Sequence, residues 1–406
     1  MSRMGESSIQ GILSIINERV RVDEDGRLSS SVNLNTFFRV IGTLRAFPPG
    51  IALSERSGLV RISISNALRK GKGKLTESTF KAELARAISL RCEEPTERYR
   101  VVAWLVRGAA GLPEKCSWLG VKLDLAPSDP HASMPAEDRL WLSDIAGRFP
   151  SAQFDRVSFS VKARSFDHAA DLADEIFSEW RGCLDFIASY RQAHWLYDGV
   201  PTPLSKVVSF PVLVISRKGE ARSWYGISDT TRIGRGVERE DAERLKKYLP
   251  WVQKRLMRHF DSDRLRLAFR SYCAAVDMSN YDVCLQRLWT TLELLTDSDQ
   301  SERVISRTAS LCKDRCQAAE MLRYYAESRN RLAHTSRSPD IDRVLVDLLR
   351  VHVHRAFQAN LLNDHKAHSF SELFEISRLA CDDDLFDSAA RVLRAARADR
   401  RLRARE

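Results

Sequence analysis

The chain has 406 residues, 44% of them hydrophobic and 29% charged, which reads as an ordinary soluble protein long enough for two or three domains. Its formal net charge of +10 favours polyanionic partners, because Lys and Arg displace counterions from phosphates, but charge of this size on so long a chain does not by itself single out nucleic acid. The sequence has no apolar run long enough to span a bilayer (about 18 residues or more), and Met1-Ser-Arg-Met-Gly-Glu-Ser-Ser lacks a signal-peptide core; the expectation is a cytoplasmic protein with no membrane partner.

In chain order, Ile9, Ile12, Leu13 and Ile16, then Phe37, Val40, Ile41 and Leu44, mark two helical stripes on either side of an Asp25-Gly26 turn. Leu59 to Ser65 alternates with Val60, Ile62 and Ile64 on one side, which predicts a half-buried strand. The basic loop Arg69-Lys-Gly-Lys-Gly-Lys74 follows; it lacks the Gly-Lys-Ser/Thr ending of a phosphate-binding loop and is read as a solvated connector. Phe80, Leu84, Ala87 and Ile88 form a packing stripe, Val101–Val106 and Val121–Leu125 predict strands, and a boundary inside this region is placed near residues 127–135. A short helix over Leu140–Phe149 precedes Val157–Ala163, whose strict alternation predicts a sheet with one wet face. A long helix from Phe166 to about Tyr190 follows, with Asp171, Asp174, Glu175 and Glu179 assigned to its solvated side, and then a strand over Val207–Ile215.

After a Gly- and charge-rich connector, Thr231 to Glu240, the chain turns almost wholly helical: segments near Leu245–Phe260, Leu265–Val276, Asp282–Leu295, Ser301–Leu311, Gln317–Ala333 and Pro339–Leu362, joined closely enough to imply an antiparallel bundle. Ser338 and Pro339 predict the N-cap and first residue of the last of these. The predicted architecture is therefore α+β: a mixed α/β region over 1–236, a helical domain over 237–365 and a basic helical tail over 366–406. None of the eight cysteines forms a Cys-x-x-Cys pair; Cys312 and Cys316 sit a turn apart without a second pair to complete a metal site, so neither metal nor cofactor is expected.

Chemistry concentrates in Tyr325-Ala-Glu-Ser-Arg329-Asn330-Arg331-Leu-Ala-His334, which sets a fixed cation, an amide and a titratable imidazole within six residues at a helix end. An Arg, a polar residue and a His a few positions on resemble the signature of HEPN ribonucleases. The flanking Leu288–Leu295 helix, the Val304–Leu311 segment and Tyr324-Tyr325 are similar to the Apea-like subfamily, over roughly residues 262 to 362. Thr335 stands where members of that subfamily often carry Gly.

The resemblance implies an all-α HEPN bundle that works as a homodimer and cuts RNA without metal by attack of a ribose 2′-hydroxyl on the adjacent phosphate. His334 would act as general base or acid, Arg329 would stabilise charge on the phosphate, and Asn330 would orient either; Glu293 and Tyr325 would support them. Arg331 and the tail residues Arg391, Arg394, Arg397 and Arg401 are the RNA-contact candidates. The implied setting is antiviral defence or toxin-like growth arrest, with the N-terminal region answering a phage-derived or cellular trigger. Some HEPN relatives bind or scaffold without cutting, so a non-catalytic RNA- or protein-binding module is the alternative.

Overall fold

The structure, a computed structural model, describes residues 3–22, 28–30, 38, 40–42, 47–48, 51–71, 73–107, 115–127, 153–189, 212–224, 239–335, 341–363, 366–379, 387, 391–392 and 394. In chain order they form α1 (Arg3–Arg19), β1 (Val20–Val22), β2 (Leu28–Ser30), α2 (Leu53–Lys70), α3 (Glu77–Glu93), β3 (Glu97–Arg107), β4 (Lys115–Trp118), β5 (Val121–Pro127), β6 (Gln153–Ala163), α4 (Phe166–Ser189), β7 (Val212–Ile215) and β8 (Ala221–Trp224). The helices α5 (Arg239–Arg258), α6 (Ser262–Val276), α7 (Tyr281–Thr296), α8 (Ser301–Ala309), α9 (Arg315–Thr335), α10 (Arg343–Leu362) and α11 (Phe370–Leu379) follow. The fold is mixed α+β and mostly helical, with strands ordered β4-β5-β6-β3-β7-β8 and a separate β1-β2 hairpin.

Compactness divides the chain into two units, each discontinuous in sequence. The first comprises Met1–Val102, Phe159–Asp174 and Val212–Trp224; the second comprises Ala103–Ser158, Glu175–Pro211 and Tyr225–Glu406.

In the first unit, Leu13 and Ile16 of α1 pack with Phe38, Ile41, Val60, Ile64, Ala67, Leu68, Phe80 and Leu84 in one core. The segment Leu59–Ser65 is helical, inside α2, and not a strand. The alternation is local: Val60, Ile64, Ala67 and Leu68 are buried at helical spacing, whereas Ile62 is 50% exposed. The basic stretch after it is shorter than a free loop. Arg69 and Lys70 end α2, Gly71 caps it by donating to the carbonyls of Ala67 and Arg69, and Lys70 pairs with the buried Glu83 of α3. Gly73 takes φ +88°, open to glycine at little cost, and turns the chain into α3, which Thr76 caps by accepting from Thr79 N–H. The strand β3 pairs antiparallel with β7, matching Val101 to Val214. The Asp25-Gly26 turn, the Leu140–Phe149 segment, the 231–238 connector and most of Ser388–Glu406 lie outside the described residues.

In the second unit β5 pairs antiparallel with both β4 and β6. Along β6, whose residues from Phe159 on belong to the first unit, Val157, Phe159, Val161 and Ala163 are buried while Ser160 and Lys162 are exposed, the alternation that the sequence carries. The helical part is built on α7, which packs against α6, α8, α9 and α10. Its start is fixed by Asn280, whose side chain accepts from the N–H groups of Asp282 and Val283, and its end by Asp297 in the left-handed region. The core stacks Phe269 on Phe357 with ring centroids 4.4 Å apart, and Phe186 closes on both rings. Close approach of α4 and α6 depends on Gly182: a Cβ there would sit 2.1 Å from the carbonyl oxygen of Phe269.

Two expectations for charged residues change. Glu179 does not lie on a solvated face; it is 1% exposed, accepts a hydrogen bond from Trp118 Nε1 at 3.0 Å and pairs with Arg266 at 3.0 Å. The apolar stripe of α4 widens until every residue from Glu179 to Ser189 is buried, so carboxylates on this helix survive only with partners. The first residue of α10 is Arg343, and its N-cap is Asp342, which accepts from Leu345 N–H at 2.9 Å, rather than Ser338 ahead of Pro339.

His352 and His354 of α10 are both buried, not surface groups. Burial, with Arg355 close by, pushes His352 down to about 4, and burial with Arg350 holds His354 well below the usual imidazole range. The unfolded chain therefore takes up more protons than the folded one as pH falls from about 6.5 towards about 4, so stability falls with acidification through that window. Urea midpoints measured between about pH 7.5 and pH 5 are expected to drop, and less steeply in His352→Gln, which cannot titrate. A midpoint that rises on acidification would contradict the burial of neutral imidazoles.

Candidate functional site

The candidate residues lie on two packed helices of the second unit. On α7, Trp289 is fully buried and Glu293, one turn later, is partly buried; the indole Nε1 donates to Glu293 Oε1 at 3.1 Å. From α9 the guanidinium of Arg329 meets the same carboxylate oxygen at 3.2 Å. A chain Trp289–Glu293–Arg329 thus ties the helix that carries the motif to the centre of the bundle. The Arg329 side chain keeps 34% of its exposure, against 17% for Glu293, so the cation is held from one side and open on another.

Burial raises the Glu293 carboxyl above its ordinary value, opposed by Arg329 and by the bond from Trp289. With a raised folded pKa, its contribution to stability falls as pH climbs out of the ordinary carboxylate range. Glu293→Gln is therefore expected to leave thermal stability at neutral pH unchanged or higher, while releasing Arg329. A large loss of melting temperature in that variant would instead make Glu293 a structural strut.

Tyr325, a turn before Arg329 on the same helix face, is fully buried, and its hydroxyl has no hydrogen-bond partner among the described residues. The Ser328 hydroxyl, next to Arg329 in sequence, is buried and unpartnered in the same sense. Burial pushes the Tyr325 phenol up, so it remains a neutral donor at physiological pH.

Asn330 and Arg331 are exposed, and Arg331 lies 4.0 Å from Glu327 one turn back. The helix α9 runs unbroken to Thr335, two residues beyond the predicted end near Ala333, so His334 stands in its last helical turn. Over an unbroken helix Asn330 and His334 share a face, whereas Arg329 and His334 are turned about 140° apart. In the tail, Arg391 and Arg394 are exposed, and Arg397 and Arg401 lie outside the described residues.

Sequence reasoning named Glu293 and Arg329 but not Trp289 as the anchor of the pair, and it did not name Ser328. The four-residue spacing of Trp289 and Glu293 on a helix was the available signal for the first; the orphaned hydroxyl leaves no trace in sequence. No protein-family model matches the chain, and neither a curated protein nor a solved structure matches it.

Proposed function

We propose that the chain is a metal-independent endoribonuclease of HEPN type whose site is completed by a second copy. The observation that carries this reading is the state of Arg329: fixed by Glu293 on a packed helix, a third open to solvent, and followed within two turns by a histidine at the helix end. A permanently charged fork of donors suits the equatorial oxygens of a phosphate under attack. Imidazole is the side chain suited to take up the 2′-hydroxyl proton and deliver one to the leaving 5′ oxygen. The angular gap between the two residues supports a two-fold arrangement in which Arg329 of one copy faces His334 of the other. The basic balance of +10 favours the polyanionic substrate.

The test is cleavage of total RNA by the purified intact chain in excess chelator, with end-group analysis. The expected products end in a 2′,3′-cyclic phosphate and begin with a 5′-hydroxyl, and activation of the chain by a phage lysate or a cellular trigger is part of the expectation. Cleavage that the chelator abolishes would overturn the mechanism.

One observation favours a second reading, a non-catalytic binding module: Glu293 already neutralises Arg329, as in a structural ion pair. On that reading RNA or a protein partner binds without being cut, and Arg329→Ala lowers stability rather than activity. In either case RNA affinity is expected to fall with salt in proportion to the phosphates contacted.

A further inference from the structure

In the first unit α2 and α3 pack as a helical hairpin with two different sides. One side is the core, where Val60, Ile64, Ala67 and Leu68 of α2 meet Phe80 and Leu84 of α3. The other side is an open groove of ≈ 720 Å³, lined from α2 by Leu59, Ile62 and Asn66 and from α3 by Glu83, Ala87 and Leu90. Both rows step by three and four residues, the spacing with which one helix receives the side chains of another. Ile62 is 50% exposed and Leu90 58%, two large apolar side chains set in one face.

The groove carries charge of opposite sign at its two ends. Where α2 finishes, Arg69, Lys70 and Arg86 stand against one carboxylate, Glu83, which pairs with Lys70. Where α2 starts, Glu55, Glu94 and Asp167 stand against one cation, Arg91, which pairs with both Glu55 and Glu94. Ser165, two residues before Asp167, donates to Glu55 and so fixes the start of α4 at this end. A face with a positive end, an apolar middle and a negative end is complementary to itself: turned about a two-fold axis through its middle, each end meets the opposite end of the copy.

We propose that this face is an interface between two copies of the chain, in which two α2–α3 hairpins pack as an antiparallel four-helix bundle. Ile62 and Leu90 of both copies close its middle and leave water together. The charged ends fix the direction. Hairpins laid in the same direction would set like ends against each other, so the repulsion selects the antiparallel pairing. The interface lies in the first unit and uses no residue of the Arg329 site, so it holds whether that site cuts RNA or binds it.

The experiment is sedimentation velocity on the intact protein across the micromolar range. Ile62→Asp with Leu90→Asp is expected to weaken self-association by at least about tenfold. The loss is read as one step of assembly, dimer to monomer, or tetramer to dimer where the second unit also pairs. Two charge reversals test the pairing of the ends. Arg69→Glu with Arg86→Glu makes both ends negative, and Glu94→Lys with Asp167→Lys makes both positive. Each reversed chain alone is expected to self-associate at least about tenfold more weakly, and the two mixed in equal amounts to associate with each other about as tightly as the wild type with itself. A wild-type chain that stays monomeric throughout overturns the proposal. Self-association that Ile62→Asp with Leu90→Asp leaves unchanged also overturns it and assigns the contact to another surface, the Arg329 site included. Reversed chains that melt at the wild-type temperature yet fail to associate on mixing overturn the two-fold pairing.

Discussion

Substituting His334 with Ala is expected to lower RNA cleavage by about 10²–10⁴-fold, and Arg329→Ala by about 10²–10³-fold, with folding and self-association unchanged in both. The first figure is the usual worth of a positioned proton-transfer group, the second that of a charge-stabilising donor in the transition state. Initial rates on one defined RNA in chelator measure both. Arg329→Lys is expected to recover only part of the rate, since it restores charge but not the planar fork. The same pair of variants tests the two-copy site. If Arg329 of one copy works with His334 of the other, a mixed dimer of the two inactive variants contains one site with both groups intact, and activity returns on mixing. Mixed subunits that exchange yet stay inactive would put both residues to work within one chain, which the roughly 140° between them on α9 opposes. Unchanged cleavage in both single variants would remove the motif from the chemistry.

The largest expected loss of stability follows from Asp277→Ala. Arg181 on α4 is 4% exposed and binds both oxygens of Asp277, Nη1 to Oδ2 at 3.0 Å and Nη2 to Oδ1 at 2.7 Å. Asp277 is the C-cap of α6, so the pair joins the end of α6 to the middle of α4. Removing the carboxylate leaves a permanent charge in the core, short of its main partner and unable to lose its proton. Breaking such a buried pair from one side costs about 3–5 kcal/mol. Equilibrium unfolding in urea reads it directly. Replacing both members together, Arg181→Met with Asp277→Leu, is expected to recover most of the loss, because two charges no longer have to be desolvated. If the double variant is as unstable as the single one, packing around the side chains rather than the charge pair holds α4 to α6.

Much of the local structure was legible because its signal is periodic. The alternation of Val157, Phe159, Val161 and Ala163 shows one strand face towards the core, and the broad apolar stripe of Leu172 to Ile187 gives a long helix that the structure carries to Ser189. Leu59–Ser65 misled for the same reason: seven residues hold both a period of two and a period near four, and only Ala67, Leu68 and the packing of α2 on α3 choose the second. The C-terminal end of α9 lies two residues beyond the Ala333 that the sequence suggested, so the helix runs through His334 to Thr335.

The sequence by itself determined the residue types on which any reading of this protein rests: a basic chain, a helical C-terminal half, and Arg329, Asn330 and His334 at fixed intervals near one helix end. Their order and spacing are covalent facts, and helix geometry turns spacing into angle. Tertiary structure alone decided what each charge meets. Glu293 binds Arg329, Glu179 is buried under Trp118 and Arg266, Asp277 holds Arg181, and Arg355 reaches Cys312 across 43 residues of chain. These partners come from different helices, and a charged side chain reads the same in sequence whether water or another charge solvates it. Only the packing that removes the water makes the choice, and with it the difference between a surface residue and a site.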